Sequence, residues 1–361
     1  MNTKQKVKYF WNVIAILAVA VASFFGGKGM APEPEVVEVV VERIVEVEVE
    51  AEAPAVVEEA EPVSDRDLQN GLPLRMVISS KDHPVHKLFI QGYLDACRDY
   101  DVLCEPILKG SGISLEEVVS AFESTIGLGS AGLIAAFGVP ATYEVAQEMA
   151  QFFPVIAVHS QVTRDLVPDL TAWVAADVES YPVLAGHDMA EAIGCKGPVA
   201  VTQNGLSDLE NAVAANFRKG LLEKCPGIEI LETQMETVEP TVAASVTGAI
   251  LAAHPDLTGA FSTTGGGPTS WTTAVQDAGK EPGEVIIISM DYTRPNLDLV
   301  MDGWVHALCG QPIYEEYYRG TELLIQVLRG EEVPFENLIP APLIHAEDTA
   351  QFYAINDAAG T

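Results

Sequence analysis

Two tandem series of short apolar runs constrain this chain more than any other feature. The first series is 74–78, 102–108, 132–137, 155–158 and 172–175, each rich in Val, Ile or Ala. Stretches with helical spacing, 87–100, 115–126 and 143–151, lie between them. A second series follows at 199–202, 228–233, 259–262 and 285–289, with helical stretches at 182–193, 208–223, 241–253 and 270–278. Near-continuous apolar strands alternating with helices predict parallel sheets covered on both faces. The fold class is therefore α/β, with two doubly wound parallel-sheet lobes. A helix at 314–329 and a last strand near 340–345 remain after the second series, so more than one segment joins the lobes. The expected division is 72–176 plus 312–338 for the first lobe, 177–311 plus 339–350 for the second, and a tail at 351–361.

What precedes the lobes is of another kind. Lys4, Lys6 and Lys8 come before an apolar run from Phe10 to Phe25, broken only by Asn12 and Ser23. A run of about sixteen residues is short for a bilayer span and long enough for a signal h-region. Ala20-Val21-Ala22 offers a small-x-small cleavage site. Residues 1–30 thus read as a secretory signal or a membrane anchor. Residues 31–71 read as an acidic, disordered linker: Glu and Val alternate between Pro32, Pro34, Pro54 and Pro62, with thirteen acids against Arg43 and Arg66 up to position 67. Period-two alternation alone would predict a strand. Like charges repel along one face, however, and no partner of similar pattern exists. A spacer is useful when something holds its near end, which favours the anchor. The expected location is extracytoplasmic.

The formal charge is -32. A surface that acidic repels phosphate backbones, so nucleic-acid binding is excluded as a function class. Of five cysteines, Cys195 and Cys225 each sit just before a predicted strand. If those strands are parallel neighbours, the thiols lie side by side. A second pair, Cys97 and Cys104, flanks a helix-to-strand turn, and Cys309 is left over. The alternative is five reduced cysteines acting as small apolar residues.

Enzyme signatures are missing. The chain has no Walker A motif, no dinucleotide fingerprint after the first strand, and no HExxH, GxSxG, paired CxxC or EF-hand loop. Gly265-Gly266-Gly267 and Gly110-Ser111-Gly112 fit turns better than phosphate loops. No enzyme activity and no cofactor are expected.

In open α/β sheets, ligands sit beyond the carboxyl ends of the strands. After the first strand come Lys81, Asp82, His83 and His86. After the fourth come His159 and Ser160. The second lobe contributes Thr264 after its third strand, Asp291 and Tyr292 after its fourth, and Gln311 after the return segment. This set mixes hydrogen-bond donors with acceptors and contains no nucleophile–base pair, which suits a small polyhydroxylated ligand. Asp291 and Gln311 are expected to face each other across a cleft, with hinges near 176–180 and 310–312. Trp271, after the Gly-rich loop, is the better of two tryptophans, with Trp304, for stacking on a sugar face.

From Leu72 to about Ala346 the chain resembles the type I periplasmic sugar-binding proteins, the ribose-binding class of solute receptors for ABC importers. The matching segments are HPVHKLFIQGYLDAC, FPVIAVHSQ, AAHPDLTGAFSTTGGG, VIIISMDYTRPNLDLVMDGWVHALCGQP and VLRGEEVP. The resemblance implies a two-lobed, multi-hinge trap with Asp291 on sugar hydroxyls and Gln311 at the hinge. It implies Asp82, His83 and His86 after the first strand, His159 and Ser160 after the fourth, and Thr264 in the second lobe. Asn211 stands roughly where the family has an arginine. The partners implied are a sugar and an importer permease, with the protein acting as a monomer. Stacking aromatics are replaced by Val85 and His86, and an Asp-Arg pair by His159-Ser160, which leaves the sugar's identity open. Two other readings stay open: a ligand-binding receptor for a chemoreceptor or histidine kinase, and a metal or metal-chelate binder through His83, His86 and His159.

Overall fold

In the computed structural model of this chain, the described residues are 62–78, 81, 83–109, 114–205, 208–237 and 239–360. The apolar run from Phe10 to Phe25, most of the acidic stretch, Asp82 and Gly110-Ser111-Gly112 lie outside them.

The first lobe opens with α1 (Asp65–Asn70) and β1 (Leu74–Ile78), then α2 (Pro84–Asp99), β2 (Ile107–Leu108), α3 (Leu115–Leu128), β3 (Gly132–Ala135), α4 (Pro140–Met149), β4 (Val155–Val158) and β5 (Ala172–Ala176). The chain crosses to the second lobe for α5 (Tyr181–Ile193), β6 (Val199–Gln203), α6 (Asp208–Lys224), β7 (Gln234–Met235), α7 (Pro240–Ala253) and β8 (Gly259–Ser262). There follow α8 (Gly267–Asp277), β9 (Ile286–Met290), α9 (Arg294–Met301) and β10 (Ala307–Cys309). It returns for α10 (Ile313–Leu328) and β11 (Glu336–Ile339), and crosses a third time to β12 (Leu343–Ile344) before α11 (Thr349–Ala359).

The strand order is β11-β5-β4-β3-β1-β2 in one sheet and β12-β10-β9-β8-β6-β7 in the other. Neighbours pair in parallel, apart from the antiparallel β10–β12 pair. The two orders match position for position, so the lobes are two copies of one doubly wound plan. Buried strands explain this: Leu74–Ile78, Gly132–Ala135, Val155–Val158 and Ala172–Ala176 are buried at every position, as two helix-covered faces require. The second strand of each lobe is reduced. Of the run expected at 102–108, a bridge at Cys104 and the two-residue β2 remain; of that expected at 228–233, only a bridge at Ile230, the two-residue β7 lying just beyond it at Gln234–Met235. Both lie at a sheet edge, where one side of the ladder is missing.

Local sequence sets the helix ends. Ser114 and Glu117 form a reciprocal capping box on α3, and Gly194 ends α5 in the left-handed region. Helices α5 and α6 cross at Gly186 and Gly220, where a Cβ would meet Phe217 O at 2.4 Å or Val183 O at 2.2 Å. One apolar cluster runs from Met76 and Phe89 in the first lobe through Ile313, Tyr317 and Tyr292 to Trp271 and Val275 in the second. Separate clusters fill the other face of each sheet.

The folded part begins earlier than the composition shift at Leu72. Leu68 of α1 is buried, and Val63 N donates to Leu328 O at 2.7 Å. The expected tail at 351–361 falls largely in α11, which packs on both α2 and α9. Disulfides join Cys97 to Cys104 and Cys195 to Cys225, with Cα–Cα distances of 6.2 and 5.4 Å; Cys309 is free and buried. Among the described residues, no helix is long and apolar enough to cross a membrane.

Candidate functional site

Each lobe ends its fourth strand with a residue in the left-handed region: His159 (φ 55°) after β4 and Asp291 (φ 68°) after β9. That conformation costs a non-glycine residue about 1–2 kcal/mol, and such outliers cluster where geometry serves a ligand. The surroundings hold both turns. His159 N donates to Val174 O at 2.9 Å. On the other side, the Asn296 amide donates to Asp291 O and Gly265 O, both at 3.0 Å. Gly265 leaves room for the carboxylate, since a Cβ there would lie 2.3 Å from Asp291 Oδ2 and push that side chain aside.

The first-lobe side is closed on itself. Glu316, in the first turn of α10, is fully buried. Its Oε1 accepts from Ala176 N at 2.7 Å, and its Oε2 lies 2.7 Å from His159 Nδ1. A carboxylate can only accept, so Nδ1 carries the proton. One side chain therefore ties together the end of β4, the first crossing and the second crossing. Burial works to lower the His159 pKa, but the charge and hydrogen bond of Glu316, with Asp291 behind it, raise it above its ordinary value. Beyond His159 an aromatic chain continues outward. Phe89 lies 5.2 Å from His159, His86 5.5 Å from Phe89, and His83 5.1 Å from His86, between ring centroids.

The second-lobe side is open. Asp291 is 7 % exposed, yet Oδ1 has no hydrogen-bond partner. Burial pushes its carboxyl up to about 6, opposed by His159 and reinforced by Glu316. Tyr181, opening α5, also buries a hydroxyl without a partner. It stands beside Gln311 and within the field of Asp291. A desolvated, unpaired acceptor thus lies near a buried hydroxyl that neighbours Gln311, where β9, β10 and the start of α5 come together. An unpaired buried acceptor costs about 1–3 kcal/mol, which a ligand hydroxyl donating to it would recover.

The structure sorts the sequence-predicted residues. Asp291 and Gln311 are near one another but do not face across a cleft. They end the adjacent strands β9 and β10 of one lobe, with Met290 opposite Cys309 in register and Asp291 N bonded to Cys309 O. It is His159 and Glu316 of the other lobe that lie in the field of Asp291. Ser160 accepts from Phe137 N at 3.2 Å, and His83 is exposed at the start of α2. Thr264 is 6 % exposed and donates to Glu236 at 2.9 Å, inside a buried network with Ser262 and Ser270. Asn211 accepts from Gln203 at 3.0 Å. Asp82 lies outside the described residues.

Trp271 is a correction. It is fully buried and donates Nε1 to Thr202 Oγ1 at 3.0 Å, so it is core and has no face to offer a sugar. The His83, His86 and His159 trio does not converge either. His159 Nδ1 belongs to Glu316, and among the described residues the His/Asp group with metal-ligand spacing is a different one, Asp188 with His306 and His345. Sequence reasoning missed Glu316, Tyr181 and Asn296. Glu316 left a signal, since it falls on the apolar stripe of its helix with Ile313, Tyr317 and Gly320.

The periplasmic binding protein domain profile matches residues 74–332. No curated protein matches in sequence. Similar solved structures include GanP, a glucose-galactose binding protein from Geobacillus stearothermophilus: 20 % identity, TM-score 0.69, covering 77 % of this chain and 99 % of that one. An ABC transporter periplasmic solute binding protein from Actinobacillus succinogenes with bound D-allose gives 20 % identity and a TM-score of 0.71 over 78 % and 99 %. An ABC transporter solute binding protein from Bacillus halodurans with bound myo-inositol gives 16 % and 0.68 over 79 % and 98 %.

Proposed function

The chain belongs to the periplasmic binding protein domain family, and on that premise we propose that it is an extracytoplasmic solute-binding protein. It captures a small polyhydroxylated ligand of the sugar or cyclic-polyol class between its lobes and delivers it to an ABC importer. It performs no chemistry on that ligand and acts as a monomer. Residues 1–30 direct its export or hold it at the membrane, with the acidic stretch as spacer.

The observation that carries this reading is Asp291 Oδ1: buried, unpartnered and at the carboxyl end of a parallel strand. Beside it, Tyr181 supplies a buried hydroxyl and Gln311 an amide. A sugar hydroxyl donates to the carboxylate, and charge-assisted bonds of this kind are the stronger ones. The ligand gathers both lobes by binding the closed arrangement better than the open one, which is the only way it can shift that balance. The D-allose and myo-inositol bound in two of the similar structures, and the glucose-galactose binding of the third, agree with this ligand class.

Calorimetry of the full-length chain against pentoses, hexoses and inositols tests the proposal. At least one of these should bind at micromolar concentration or below, with binding lost in Asp291→Ala. A panel with no binder, or undiminished affinity in that variant, removes the site from consideration.

A further inference from the structure

Three groups outside the ligand cleft converge as metal ligands do. Asp188 lies in the middle of α5, His306 directly precedes β10, and His345 directly follows β12. Asp188 Oδ2 is 3.1 Å from His306 Nε2 and 3.2 Å from His345 Nε2. All three ligand atoms lie within 4.8 Å of one another. From these distances we infer that the second lobe holds a zinc-class divalent ion between Asp188, His306 and His345.

The geometry fits that ion. Tetrahedral zinc with bonds of about 2.0–2.1 Å to imidazole and carboxylate places neighbouring ligand atoms about 3.3–3.4 Å apart. Two edges of such a tetrahedron are already formed, at 3.1 and 3.2 Å. The third closes by rotation of rings that now meet edge to face, with centroids 5.3 Å apart. Two imidazoles and one carboxylate are a zinc-type donor set, whereas calcium and magnesium take oxygen alone.

Asp348 Oδ2 lies 3.9 Å from His345 Nδ1 and accepts from His345 N at 3.2 Å, which places a carboxylate behind the ring, as commonly supports a ligating histidine. The side chains of Asp188, His306 and His345 are 23 %, 33 % and 28 % exposed, which leaves a path for the ion and a fourth, water ligand.

The ion would act as a clamp. Strand β12 pairs with β10 at two positions only, and it receives the third interlobe crossing. His306 and His345 sit at the end of that pair away from Asp291, so a metal there pins the crossing to α5 without touching the ligand site.

The test uses the full-length chain, stripped with a chelator and titrated with ZnCl₂ against a chromophoric competitor. One zinc per chain is expected. His306→Ala and His345→Ala should each weaken it at least tenfold, while His187→Ala, whose ring faces Glu223, leaves it unchanged. Asp188→Asn, with the folded state checked by circular dichroism, gives the same loss should an alanine variant fold poorly. Co²⁺ in place of zinc should show tetrahedral visible absorption that disappears in His345→Ala. At a hundredfold excess over Kd, zinc should raise Tm by about 4 °C. Absence of zinc binding at micromolar concentration overturns the inference, as does binding that persists undiminished in the His306 and His345 variants.

Discussion

His159 and Asp291 occupy the same place in the two lobes, one residue past the fourth strand and in the same left-handed conformation. Their surroundings are opposite. His159 is answered within the protein by a buried carboxylate that also takes a backbone N–H. Asp291 is answered by nothing on Oδ1. One plan, used twice, has become a finished joint in one lobe and an unfinished one in the other. Saturated buried polar groups hold architecture, and unsaturated ones mark what has yet to bind.

The comparison breaks most visibly at Glu316. Glu316→Ala leaves the His159 ring and Ala176 N–H unpaired in a buried place. Removing one partner of such a pair costs about 3–5 kcal/mol, or about 5–8 °C in Tm for a chain of this size. Differential scanning calorimetry should show that loss; an unchanged Tm would mean the joint carries no load. Asp291→Asn should do the reverse. Ligand affinity should fall on the order of 100-fold as charge-assisted bonds are lost, while the unliganded protein gains stability at pH 7.5. The sign follows from a carboxyl raised to about 6. Between its unfolded value near 3.9 and 6, the folded state keeps a proton that the unfolded state has released. Stability therefore falls as pH rises through that window, by about 2–3 kcal/mol in total, and the amide removes the deficit.

A smaller effect is expected in the wild-type chain. If only ionised Asp291 grips the ligand, calorimetry should find affinity about tenfold weaker at pH 5 than at pH 7.5. His159 acts on the alkaline side. With its pKa raised, its stabilising contribution is complete below about 6.5 and disappears as pH climbs through its folded value. The smallest change should come from Trp271→Phe. Loss of the indole bond to Thr202 costs about 1 kcal/mol of stability, with ligand affinity unaltered. Lost affinity there would reopen the case for a stacking role.

Much of the fold was legible because buried parallel strands write themselves as unbroken apolar runs. Residues 74–78, 155–158 and 259–262 coincide with β1, β4 and β8. The elements that escaped were those without such a run. Strand β11 reads Glu-Asn-Leu-Ile at a sheet edge, α9 is only 8 residues long, and α11 has few buried positions. The same rule located His159, Asp291 and Gln311, since strand ends can be counted along a sequence. It could not reach Glu316 or Tyr181, which enter from the first turns of helices after the crossings. Nor could it tell a buried tryptophan from an exposed one.

Helix α11 touches both halves. To the second lobe it offers Asp357 to Arg294, Tyr353 to Asp298 and the Asn356 amide to Tyr292 O. To α2 it offers the Gly360 carbonyl, accepting from Lys87 Nζ at 3.0 Å. Because it packs on α2 as well as on α9, the helix bridges the two lobes, and separation of the lobes has to break one of these two seams. A chain ending before Thr349 would rest with a wider aperture and close more reluctantly.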